Sequence, residues 1–151
     1  MSRRRATIRP NQHQTRIAEA TNMFHRVAMG ANQNIEIFKS ILDQYDRNKE
    51  DASDEQSKAA LELTNGMVGL ITAAVTNLED GAKLVGEPPQ YYPFSDERLM
   101  SWEMALALNT VQPIMEQVTT LVSGIQALGT LIEEIADSKN EPVTLEAELE
   151  S

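Results

Sequence analysis

The sequence predicts an all-α protein: an elongated antiparallel bundle of three long helices, the third kinked or split at Pro113. Apolar residues recur at helical spacing through three long segments. The breaks between those segments are short and carry turn or proline signals. Aromatic residues make up 5% of the 151 residues and hydrophobic residues 41%, a poor supply for packed sheets. Helices of about 30–40 residues span roughly 45–60 Å at 1.5 Å per residue, hence the elongated form.

The chain opens with a basic arm, residues 1–10, ending at Pro10. A first helix follows from about Asn11 to Arg47. Ile17, Phe24, Ala31, Phe38 and Tyr45 recur every seventh residue, flanked by Ala20, Val27, Ala28, Ile35, Ile41 and Leu42. That stripe is wider than a two-stranded coiled-coil seam. Asn34 is its polar exception. Acid–base pairs at Glu36/Lys39 and Asp43/Arg47 mark the outer face.

Asn48–Ala52 is a charged connection. Ser53 followed by Gln56 is a capping-box pattern that starts a second helix, about Asp54 to Val85. Its stripe holds Ala60, Leu63, Met67, Leu70, Ile71, Ala74, Leu78 and Val85. Asn65-Gly66 is a turn dipeptide, but the apolar period continues across it, so an unbroken helix is favoured over a break. Gly86 fits a C′ stop. Pro88, Pro89 and Pro93 then force an extended connector. Tyr91, Tyr92 and Phe94 within it suit a lid on the end of the bundle.

Ser95 fits a third cap, with Asp96 and Glu97 in the first turn. Met100, Met104, Ala107, Val111, Ile114, Val118, Leu121, Ile125, Leu128, Ile132 and Ile135 then alternate spacings of four and three. The phase holds across Pro113, which favours a kink; Thr110 capping a fresh helix is the alternative. From Leu99 to Ile132 the only charges are Glu103 and Glu116. A helix so poor in charge calls for cover on several sides, more than two partner helices provide. The organisation is thus a basic arm at 1–10, a helical bundle domain at 11–138 and an acidic tail at 139–151.

Charge is unevenly placed. The net charge is −10, yet the first 18 residues hold Arg3, Arg4, Arg5, Arg9 and Arg16 and no acid. Arg3, Arg4, Arg5 and Arg9 are the candidate partner- or anion-binding residues. They suit carboxylates on an acidic protein surface or phosphates in a nucleic-acid backbone. No reading helix or stacking aromatic accompanies them, so any nucleic-acid contact is confined to the arm and to the backbone.

Few chemistries have candidates. The chain has no Cys, which removes disulfides, thiolate zinc sites and Cys nucleophiles. His13 and His25 stand alone, with no metal-ligand spacing around them. Glu133, Glu134 and Asp137 read as a solvated helix end that lacks the paired ExxH motif of di-iron bundles. Five of the glycines, Gly30, Gly66, Gly69, Gly124 and Gly129, form no phosphate loop and read as close helix approaches. Six of the seven Met fall in helical patterns and read as core filling. No cofactor, metal or catalytic residue is expected.

The N-terminus lacks the apolar core of a secretory signal. The longest uncharged runs, Leu63–Leu78 and Gln117–Ile132, span 16 residues each. A spanning helix needs about 20 apolar residues, so membrane insertion is not expected. The cytoplasm or a virus particle is the most compatible location. The function these features suggest is non-enzymatic. They fit a helical structural subunit of a larger assembly, homo-oligomeric or mixed, of the virus-particle or secretion type. The basic arm anchors it, and Val118, Leu121, Ile125, Leu128 and Ile132 form the core or self-association face. The alternative is a small nucleic-acid-associated protein that uses the same arm.

Overall fold

The computed structural model describes residues 8–91 and 96–150, with side chains through Ser138. Arg3, Arg4, Arg5, Tyr92, Phe94 and Ser95 lie outside the described residues, and with them most of the arm and of the aromatic lid. Among the described residues every element is helical and no strand occurs. Helix α1 spans Pro10–Asn48 and ends in a short 3-10 turn, Lys49–Asp51. Helix α2 spans Asp54–Gly86. Helix α3, Asp96–Leu106, passes through a π-helical turn, Ala107–Val111, into α4, Gln112–Glu150. The architecture is the helical bundle that the apolar periods predict.

Local chemistry sets the boundaries. Pro10 takes the first helical position of α1, where its missing N–H costs nothing. At the start of α2 both arms of the capping box form. Gln56 N–H donates to Ser53 Oγ at 3.1 Å, and Ser53 N–H donates to Gln56 Oε1 at 2.8 Å. Ser53→Ala is expected to cost about 1 kcal/mol of stability in a denaturant titration. Helix α2 runs unbroken through Asn65-Gly66. Gly86 is its last residue rather than a left-handed C′ residue. The end is closed by a tightened last turn, in which Glu87 N–H donates to Leu84 O at 3.2 Å.

The chain divides into two compact units. One comprises residues up to Asn32 together with Thr72–Val118, the other Gln33–Ile71 with Thr119–Ser151. The first is built on Phe24, Ala31, Leu99, Trp102, Leu106 and Ile114. Its single Trp is 7% exposed, and the indole N–H donates to Leu84 O at 2.8 Å, an oxygen at the C-terminal end of α2. The second unit is built on Phe38, Ala60, Met67, Leu121, Leu128 and Ile135.

The third helical run departs from the sequence expectation in its first half. Leu99, Trp102 and Leu106 are buried, whereas Met100 and Met104 are 45% and 53% exposed and Ala107 faces outward. The π turn is the reason. Gln112 N–H donates to Ala107 O, five residues back, so the turn accommodates one extra residue and displaces the upstream phase by one position. Pro113 follows immediately. It has no N–H to donate, and its ring would crowd the carbonyl four residues earlier in a regular α-helix. The wide turn absorbs this conflict without a break. Thr110 is buried inside the turn rather than capping a new helix. Backbone helix continues through Pro142 to Glu150.

Two further expectations change. Met67 is buried, but Met23, Met29, Met100, Met104 and Met115 are 45–61% exposed, so five of the six helical methionines fill no core. Gly30, Gly66 and Gly69 have no atom within 4 Å of a Cβ added there, so they are not close approaches. Gly124 and Gly129 do meet neighbours, Met67 and Ile41. The tightest position is Gly81, where a Cβ would overlap the Phe24 ring. Helix α2 is, by length and composition, able to cross a membrane. An 18-residue window reaches a mean hydropathy of 1.3, yet only 17% of that window is buried.

Candidate functional site

Arg9, the last residue of the arm before α1, is exposed. Its N–H donates to Gln12 Oε1 at 3.2 Å, and its carbonyl accepts from His13 N–H at 3.0 Å. Ile8 is half-buried and packs against the core of its unit. The Tyr91 hydroxyl donates to Ile8 O at 3.1 Å. Tyr91 also meets the buried His13 ring edge-on, with centroids 5.5 Å apart and planes at 80°. The root of the arm is thereby fixed to the connector after α2. Tyr91 performs this part of the predicted lid.

The fifth arginine of the N-terminal cluster has a different task. Arg16 Nε donates to Glu103 Oε2 at 3.0 Å, and Arg16 Nη2 donates to Glu103 Oε1. Arg16 Nη1 donates to Asp96 Oδ1 at 2.8 Å. This fork joins α1 to α3 and consumes one of only two charges between Leu99 and Ile132. The hydrogen bonds to Glu103, and after them the one to Asp96, hold the guanidinium above its ordinary value against the opposing effect of burial. A raised cation stabilises the fold at every pH below its unfolded range, so titration of Arg16 withdraws nothing under neutral or acidic conditions. The side chain is 29% exposed, so solvent screening limits the contribution. Arg16→Leu is expected to cost about 1 kcal/mol, checked by denaturation at low and high salt.

A groove of about 410 Å³ lies beside this root, lined by Ile8, Asn11, Gln12, Thr15, Arg16 and Glu19. A second, of about 420 Å³, runs between the end of α2 and the π turn, with Asp80, Lys83, Glu87 and Asn109 on its walls. Of the described residues lining them, none is a histidine or a serine. Among the described residues no group of three or more metal-ligating side chains converges. His25, Glu133, Glu134 and Asp137 are each exposed.

The residues expected to form a core or self-association face point inward. Leu121, Ile125, Leu128 and Ile132 are buried in the second unit's core, and Val118 is half-buried against the first. The uncovered apolar surface lies elsewhere. In the third run it consists of Met100, Met104, Leu108 and Met115, 45–55% exposed; on α2, of Leu61, Val68 and Val75, 40–60% exposed. Sequence reasoning missed the Arg16 fork, though acids seven residues apart on one helix face were a signal for it. It also missed the α2 surface, because a heptad one residue out of step with the core heptad merges with it in a wide stripe.

No protein-family model matches the chain, and neither a curated protein nor a solved structure matches it.

Proposed function

We propose that the chain is a non-enzymatic helical subunit of a larger assembly, anchored by its basic arm, of the kind found in virus particles or secretion-type complexes. The observation that carries this reading is the exposed row Met100, Met104, Leu108 and Met115. It lies on a stretch of helix with only two charges, Glu116 and Glu103, the latter already engaged by Arg16. Full burial of such a side chain is worth about 1.5–3 kcal/mol; each of these is about half exposed, so roughly half of that is still available, and a charge-poor helix face gains it by meeting another protein. The arm supplies cations for an acidic partner surface with no acid among them, whereas residues 19–151 hold 8 basic against 23 acidic residues.

Removing residues 1–9 tests the anchoring. The truncated chain is expected to keep its helix content, since Ile8, half-buried, is the one described apolar side chain it loses from a core, and to lose a co-purifying partner or change its assembly size. The competing reading, a nucleic-acid-associated protein, rests on Arg3, Arg4, Arg5 and Arg9. It predicts that the full chain retards nonspecific DNA or RNA at low salt and the truncated chain does not. Retardation by the full chain alone would replace the protein-docking reading. A truncation that changes neither assembly nor binding would remove the arm from the account.

A further inference from the structure

Helix α2 carries two heptad series side by side. Ala60, Met67, Ala74 and Gly81 are buried and form its inner seam. One residue further on, Leu61, Val68 and Val75 repeat the same spacing at 60%, 47% and 40% exposure, and Ala82 continues the series, also exposed. A seven-residue apolar repeat on an outer helix face specifies another helix as its cover, because only a helix keeps such a repeat in contact along its length. All these residues belong to one unbroken helix.

The charges beside the outer series say which helix fits. At 3.6 residues per turn, Asp54, Lys58, Glu79 and Lys83 fall along the same outer edge of the stripe. All four are exposed, and none is ion-paired among the described residues. Between them, from Leu63 to Leu78, α2 has no charge at all. Two copies of α2 laid antiparallel about a two-fold axis beside Val68 bring Leu61 level with the other copy's Val75. The same axis brings Lys58 level with Glu79 and Asp54 level with Lys83. Symmetry repeats each pairing, giving four opposite-charge pairs around an apolar centre. A parallel pair would instead put this edge of the two copies on opposite sides of the contact, leaving the four charges without partners. Two chains of net charge −10 repel over most of their surfaces, so the uncharged strip from Leu63 to Leu78 is where they can meet.

We propose that a second copy of this chain docks on the outer face of α2, antiparallel and two-fold symmetric, with Val68 at the centre. The proposal rests on the assembly reading and names one of its partners. The Thr and Asn side chains within the strip suit a protein helix better than lipid.

The chain has no cysteine, so engineered cysteines report the geometry cleanly. Leu61→Cys and Val75→Cys chains, differently tagged, are mixed and treated with a short bis-maleimide. The antiparallel pair predicts a mixed cross-linked dimer and little product from either chain alone. Strong self-cross-linking of each chain alone would show a parallel pair and overturn the proposal. Val68→Asp is expected to weaken the dimer at least about tenfold in sedimentation equilibrium, since it desolvates an unpaired carboxylate at the centre. Val68 is half solvent-facing, so helix content should be unchanged. Lys58→Glu alone should weaken the dimer at low salt, and Lys58→Glu with Glu79→Lys should restore it. If the protein assembles but Val68→Asp and the cross-linking pattern have no effect, this proposal fails and the assembly reading stands. If the chain is monomeric at every concentration, this proposal falls. If it also acquires no partner, the assembly reading falls with it.

Discussion

Ile125→Asp is expected to abolish the folded state of the unit that contains it. Ile125 is 9% exposed and shares a core with Phe38, Met67, Leu121 and Leu128. Every one of those neighbours is apolar, so an aspartate there has no partner for its charge. The substitution removes about 2–5 kcal/mol of packing and adds several more for a desolvated carboxylate. A domain of this size has roughly 5–15 kcal/mol in total. Circular dichroism should show loss of much of the helix signal or a transition moved far below that of the parent. Gln126→Asp, one residue away and exposed, should change stability by no more than about 0.5 kcal/mol. A parent-like melt for Ile125→Asp would show that α4 is not core.

Gly81→Val is expected to be nearly as damaging. A Cβ at Gly81 overlaps the Phe24 ring and lies 2.5 Å from Thr110 Cγ2. An aromatic ring has no flexible end to swing aside, so α1, α2 or the π turn must move. Alanine is expected to cost about 1–3 kcal/mol even after its helix-propensity advantage of up to ~1 kcal/mol over glycine. Valine adds two methyl groups to the same clash and should cost about 3 kcal/mol or more. Gly66 supplies the contrast. It sits in the same helix with no atom within 4 Å of an added Cβ, so Gly66→Ala should stabilise by up to ~1 kcal/mol. Denaturant midpoints of the three variants check the signs. Equal effects at the two glycines would contradict the packing described.

The two glycines also show how far the sequence could be read. Both fall within the second helix that the sequence predicts, yet the sequence singles out Gly66, and not Gly81, as a close approach. Which one sits against a phenylalanine depends on the register of α1 against α2, a tertiary property. Helix existence was legible because Phe24, Ala31 and Phe38, or Ala60, Met67 and Ala74, repeat at a period that only a helix uses. The Ser53–Gln56 cap was legible because its bonds span three residues. The π turn was not. An uninterrupted four-three apolar pattern from Met100 to Ile135 looks like one continuous phase, and the extra residue that moves Leu99, Trp102 and Leu106 inward leaves no break in it. The same shift turned Met100 and Met104 outward and exposed the surface on which the functional reading stands. The arm was legible as charge. Its attachment through Ile8, His13 and Tyr91 was not, because Tyr91 lies far from the other two in sequence.

We propose that this chain meets other protein through uncovered helix faces. The most direct test is the solution mass of the purified full chain, measured by sedimentation equilibrium over a range of protein and salt concentrations. Masses should rise to multiples of 16.8 kDa with increasing concentration, the association should survive high salt because its centre is apolar, and Val68→Asp should weaken it. A single species of 16.8 kDa at every concentration and salt, with no co-purifying partner, would contradict the proposal.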